Sequence, residues 1–255
     1  MRLPLLPCLI LFCIPFVSSP AEAQNRILLA VGAHAGDVEL TSGALLAKHV
    51  QLGDRAVILH LTLGEGGNPT MSPSEYAEQK RREAEEAARI LGVGVVFGPY
   101  LDGELPDDEE VRRYVANVIR EVRPTHVITH ARASIHKDHE RTHRIVTDAV
   151  LLAALPAVEL EHPAHRGVRG IYFAENWEDH EGFDPYVYVD VSEAAELWRD
   201  AVRAYEFIRG GISSFPYLQY YDALQSLRGA EARVSRAVAF DVDELGKRRT
   251  LKELP

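Results

Sequence analysis

Apolar residues run almost unbroken through RILLAVGA (26–33) and RAVILHLTL (55–63), then through VGVVFG (93–98) and THVITHA (125–131). Short runs rich in β-branched residues predict strands buried on both faces. Between them lie segments of helical periodicity, at 41–52, 75–91, 108–122 and 138–153. Two further strands are expected at RGIYFAEN (169–176) and YVYVDV (186–191), and a last helical block runs from Glu193 to about Gly210. Strand and helix alternating in this way predict right-handed crossovers. The expected fold is α/β and Rossmann-like, a single domain with a mainly parallel sheet and helices on both faces.

The first residues stand outside that pattern. MRLPLLPCLILFCIPFVSSPAEA has a basic start at Arg2, an apolar stretch and a small-residue end at Ala21-Glu22-Ala23. This is the form of a secretory signal peptide, so residues 1–23 are expected to be removed and 24–255 to form the domain. The expected location is secreted or periplasmic. Pro4, Pro7 and Pro15 interrupt the apolar run, and no later segment approaches the roughly 20 apolar residues of a membrane span. Cys8 and Cys13 both lie in the leader, so the remaining chain has neither disulfide nor thiolate chemistry. The formal charge of −10 survives cleavage, because Arg2 and Glu22 leave together, and it argues against a nucleic-acid partner. Nothing in the pattern indicates an oligomeric state.

In open parallel sheets the working residues collect in the loops that leave the carboxyl ends of the strands. Here the first strand leads to His34, Asp37 and Glu39, the second to LGEGGNPT, the third to YLDGEL with Asp102, and the fourth to SIHKDH. His34 and Asp37 are three apart at a turn, and His136 and His139 are three apart where a helix begins, a spacing that shares a face. Two imidazoles and a carboxylate suit a catalytic zinc ion, which takes three protein ligands and leaves a fourth position for water. HKDH also reads as a helix start with Asp138 in a capping role. The glycine-rich LGEGGNPT lacks the lysine and hydroxyl residue of a phosphate loop and reads better as a lid. The remaining histidines are uninformative singly; His130, at a strand end on the same edge, is the best spare ligand, and NWEDHEGFDPY (176–186) has a composition suited to a sugar face.

The succession AHAGDVEL, KRREAEEAARILGV, YLDGEL, RPTHVITH, HKDH and DAVRAYEF resembles the LmbE-like or PIG-L family of zinc-dependent de-N-acetylases, over most of the chain beyond the leader. The resemblance implies a Zn²⁺ ion held by His34, Asp37 and His139. It implies His136 as the imidazole that steadies the oxyanion or protonates the leaving amine, and Asp138 as a carboxylate that orients a histidine. Arg81 and Asp102, with Glu83, fall where the family contacts the sugar or supports the site. Arg81 reads equally as a solvated residue on a helix face. The implied substrate is an N-acetylated amino sugar or glycoconjugate.

One position departs from the family. Its first motif reads AHPDD, with the first aspartate as proton acceptor, whereas this turn reads His34-Ala35-Gly36-Asp37. Two readings follow: an amidase in which His136, Asp138 or Glu39 replaces the missing base, and a relative that binds metal and glycan without turnover. A dinucleotide-binding reading fails because VGAHAGD lacks the glycine spacing that seats a pyrophosphate.

Overall fold

Alternate residues of the first strand enter two different cores. In the computed structural model, which describes residues 26–179 and 181–248, β1 (Ile27–Gly32) sends Leu28 and Ala30 into one apolar cluster and Leu29 and Val31 into another. The same division holds for β2 (Arg55–His60), with Ala56 and Ile58 on one side and Leu59 on the other, and for β4 (His126–His130), with Ile128 opposed to Val127. A strand buried on both faces has no polar side to show, which is why these runs read as continuously apolar.

One cluster is covered by α1 (Asp37–Gln51), α2 (Pro73–Leu91), α5 (Ala195–Val202) and α6 (Tyr217–Ala232). The other lies under α3 (Glu109–Val122) and α4 (Lys137–Ala154). The sheet has seven strands in the order β3-β2-β1-β4-β5-β7-β6, with β3 at Gly94–Phe97, β5 at Gly170–Ala174, β6 at Val187–Asp190 and β7 at Ala237–Asp241. The first five strands are mutually parallel, and β7 runs antiparallel to both β5 and β6. The expected Rossmann-like α/β architecture is the one observed.

Helix starts follow local chemistry. Ser72 caps α2 by accepting the Glu75 N–H, with Pro73 in the first turn, and Asp108 caps α3 through the N–H groups of Glu110 and Val111. α4 begins on His136, whose Nδ1 accepts the Asp138 N–H at 3.3 Å.

The expected elements differ from the observed ones at the carboxyl end. The single helical block from Glu193 to Gly210 resolves into a 3₁₀ turn (Ser192–Ala194), the short helix α5 and a run of turns, while α6 and β7 were not anticipated. In YLQYYDALQSLRGAEA the three tyrosines share one face with Leu224, but Gln225 and Arg228 interrupt that face and Leu218 and Leu227 lie well off its centre, so the apolar stripe is weak and the helix depends on packing against the sheet. The expected leader at 1–23 and His180 lie outside the described residues. Among the described residues no helix is long and apolar enough to cross a membrane.

Candidate functional site

Because β1 to β5 are parallel, their carboxyl ends open on one edge, and the loops leaving them line a cavity of about 460 Å³. The turn after β1 brings His34 and Asp37; the start of α4 brings His136 and His139; the loop after β3 brings Asp102. A fourth loop, after β5, adds Asn176, Trp177 and Glu178, the segment after α5 adds Phe207, and the start of α6 adds Tyr217.

The turn itself is built by Gly36, which has φ +109° and whose N–H donates to Glu39 Oε2 at 3.2 Å. Asp37 then opens α1, with its Oδ2 accepting the His34 N–H at 2.8 Å. That bond folds the carboxylate back towards the imidazole. His34 Nδ1 lies 3.1 Å from Asp37 Oδ2, His139 Nε2 lies 3.3 Å from the same oxygen, and the two nitrogens are 3.2 Å apart. In a tetrahedral zinc site with bonds of about 2.0 to 2.2 Å, neighbouring ligand atoms stand roughly 3.4 Å from one another. The three residues therefore fit a divalent ion in spacing and in donor type.

Carboxylates stand behind both imidazoles. His34 Nε2 lies 3.1 Å from Asp102 Oδ1 and 3.7 Å from Asp138 Oδ2, and His139 Nδ1 lies 3.0 Å from Glu178 Oε2, an ion-pair contact rather than an aligned hydrogen bond. Such partners fix the ring nitrogen that faces a metal. Burial opposes protonation of both rings, but Asp37 and these carboxylates outweigh it. His34 is held well above the ordinary imidazole range and His139 is raised to about 9. Asp37 is held well below the carboxylate range, since His139 and His34 outweigh its burial.

The remaining expectations divide. His136 lines the cavity, its ring centroid 4.5 Å from that of His34; burial and the neighbouring His34 and His139 hold its pKa down. With Nδ1 occupied by the Asp138 N–H, its Nε2 is the protonated nitrogen. Asp138 is fully buried and does not line the cavity; its Oδ2 accepts the Gly103 N–H at 2.7 Å, so it supports His34 and the loop after β3 from behind. Asp102 reaches the cavity but is engaged by His34 and by the Gly66 N–H at 3.1 Å. Arg81 points away: it is exposed, with its guanidinium 4.2 Å from the Phe97 ring centroid, because successive helix residues are about 100° apart and its neighbour Lys80 faces inward.

Glu39 does not serve the cavity either. It is wholly buried, its Oε1 accepting the Tyr205 hydroxyl at 2.7 Å and meeting His60 Nε2 at 3.1 Å. His130 comes within 3.4 Å of Asp37, but its Nε2 accepts the Ala33 N–H at 3.0 Å, which leaves no lone pair there for a metal. Sequence reasoning missed Glu178 and Lys80. The signal for Lys80 was present: Tyr76, Ala84, Ala87, Ala88 and Leu91 form the buried stripe of α2, and a lysine stands in it at helical spacing.

The sequence model of the PIG-L family, described as GlcNAc-PI de-N-acetylase, matches residues 29–150. The chain is similar to the diacetylchitobiose deacetylase of Thermococcus kodakarensis, 28% identical over 202 residues, covering 74% of this chain and 72% of that protein. It is also similar to the 4-oxalmesaconate hydratase of Pseudomonas putida, 26% identical over 140 residues, covering 52% and 54%. Among solved structures, the conserved protein TT1542 of Thermus thermophilus superposes with a TM-score of 0.75 at 30% identity, covering 89% of this chain and 99% of that one. The chain spans about half the length of the first curated relatives it matches. With its strand-exit histidines and aspartate in the matched segment and the whole fold shared, this chain belongs to the PIG-L (LmbE-like) family.

Proposed function

We propose that the protein is a zinc-dependent amidase that removes the acetyl group from an N-acetylated amino sugar of the N-acetylglucosamine type. The observation that carries this reading is the convergence of His34 Nδ1, Asp37 Oδ2 and His139 Nε2, each within 3.1 to 3.3 Å of the others, on the wall of an open cavity. A zinc ion there supplies Lewis acidity towards an amide carbonyl and acidifies water. The residues of the chain supply the rest. His136, neutral and with Nε2 protonated, donates a hydrogen bond to the carbonyl oxygen as negative charge develops on it. Asp102, Asp138 and Glu178 keep the ligand nitrogens turned inward. Trp177, Tyr217, Phe207 and Tyr76 give the cavity ring faces against which a pyranose can lie.

Metal analysis of the purified protein beside an acetate-release screen of N-acetylglucosamine derivatives tests the reading. One equivalent of zinc and acetate release from an N-acetylated sugar support it. Bound zinc without acetate release from any acylated amino sugar overturns it in favour of a metal-dependent glycan-binding relative. Export with removal of residues 1–23 is part of the proposal, motivated by the leader-like pattern; an N-terminus remaining at Met1 overturns that part.

A further inference from the structure

The groups that carry protons on the cavity wall are nearly all committed. Among the described lining residues, Asp102 is taken up by His34 and the Gly66 N–H, Glu178 faces His139, and His136 Nδ1 accepts a backbone N–H. Burial pushes the phenols of Tyr76, Tyr217 and Tyr221 up, so they hold their protons. Lys80 is different. It is only 4% exposed, its Nζ donates to the Ala35 carbonyl at 2.5 Å, and among the described residues it forms no ion pair with a carboxylate. Its other neighbours are ring faces, with Nζ 4.1 Å from the Phe207 centroid and 4.8 Å from that of Tyr205.

This amine stands beside the turn whose residue 36 lacks a side chain. A Cβ on Gly36 would lie 2.8 Å from Phe207 Cζ and 3.6 Å from Lys80 Nζ, so the Phe207 ring fills the space beside the turn and the Lys80 amine borders it. We infer that Lys80 is a catalytic proton carrier, taking a proton from the attacking water and returning it to the departing amine. This rests on the amidase reading above. In the first step the neutral amine of Lys80 accepts a water proton as the water oxygen bonds to the acetyl carbon, and the carbonyl π pair moves to oxygen. In the second the carbonyl re-forms, the C–N bond breaks, and the ammonium of Lys80 gives its proton to the leaving nitrogen. Lys80 ends neutral, and the products are acetic acid and the free amino sugar.

The surroundings suit that cycle. Burial lowers the Lys80 pKa against the upward pull of Asp37, Glu83, Glu39 and Asp102, and the result is about 8. Neutralising Asp37 with a bound cation weakens one of those pulls and favours the free amine further. A proton carrier works best with a pKa near the working pH.

The test uses the zinc-loaded protein and two variants. Lys80→Met should keep zinc and KM while kcat falls on the order of 10² to 10⁴-fold. Lys80→Arg, which keeps its proton throughout, should fall with it. In parallel, the Lys80 Cε resonance of zinc-free protein carrying ¹³C-lysine, assigned by its loss in Lys80→Met, should inflect near pH 8. Full kcat in Lys80→Met, rescue by Lys80→Arg, which would mark an anion-binding role, or an inflection above 10 would each overturn the inference. A wild type inactive on every acylated sugar would instead overturn the amidase reading on which it stands.

Discussion

His139 presents Nδ1 to Glu178 at 3.0 Å and to Ser134 Oγ at 3.3 Å, and Nε2 to Asp37, 3.3 Å away on a different strand exit. Glu178 belongs to the loop after β5, so the setting of the His139 ring at the start of α4 involves a segment about forty residues further along the chain.

Removing that support should weaken metal binding without unfolding the protein. Glu178→Ala is expected to lose about 10- to 100-fold in zinc affinity, since outer carboxylates orient ligands and raise their basicity. Competition with a chromogenic chelator measures it; unchanged affinity would show that Ser134, 3.3 Å from His139 Nδ1, suffices.

The ligand assignment separates two neighbouring histidines. His139→Ala should abolish stoichiometric zinc, whereas His136→Ala should retain it and lower kcat. Equal retention of metal in both variants would refute the triad.

Zinc affinity should rise with pH through a window higher than that of free imidazole. The ion requires neutral rings, and in the zinc-free protein His139 holds its proton up to about 9, with His34 also raised well above the usual range. Below that pH each binding event displaces a proton, so the affinity should fall by about tenfold for each proton displaced per pH unit. Metal titrations between pH 6 and 9 check this, and a flat profile would contradict it.

Gly36→Asp should not raise the proposed activity. A side chain at φ +109° is strained, and its Cβ meets the Phe207 ring at 2.8 Å. A loss of at least about 1 to 2 kcal/mol is expected. Chemical denaturation with kcat/KM on the same preparation measures both; a stable variant with raised activity would show that the turn relaxes easily and that a carboxylate can serve there.

Glu39 is structural. Glu39→Ala leaves His60 and Tyr205 without their shared partner in the core, at a cost of about 3 kcal/mol. Although burial works against it, His60 and Tyr205 hold the Glu39 pKa below its ordinary value. Its contribution is therefore present above the unfolded carboxylate pKa and lost as pH falls through the lower folded value. Urea melts of wild type and variant should differ in full at pH 7 and converge only as the pH is taken below the ordinary carboxylate range.

The apolar runs at 26–33 and 55–63, the helices expected over 75–91 and 108–122, and the candidate site pairs His34/Asp37 and His136/His139 were all legible along the chain, because each depends on neighbours in sequence. Burial on two faces leaves a continuous apolar run, and a turn or helix start brings i and i+3 together. Contacts between distant segments leave no such periodic trace. Only the tertiary structure decided that Glu178 stands behind His139, that β7 enters the sheet antiparallel between β5 and β6, that Arg81 faces solvent while Lys80 faces the cavity, and that Glu39 is sealed in the core. The missing side chain at Gly36 was visible as an absence in the sequence, but the lysine amine beside it comes from another helix and is set there by the packing of α2 against the β1 turn and the segment after α5.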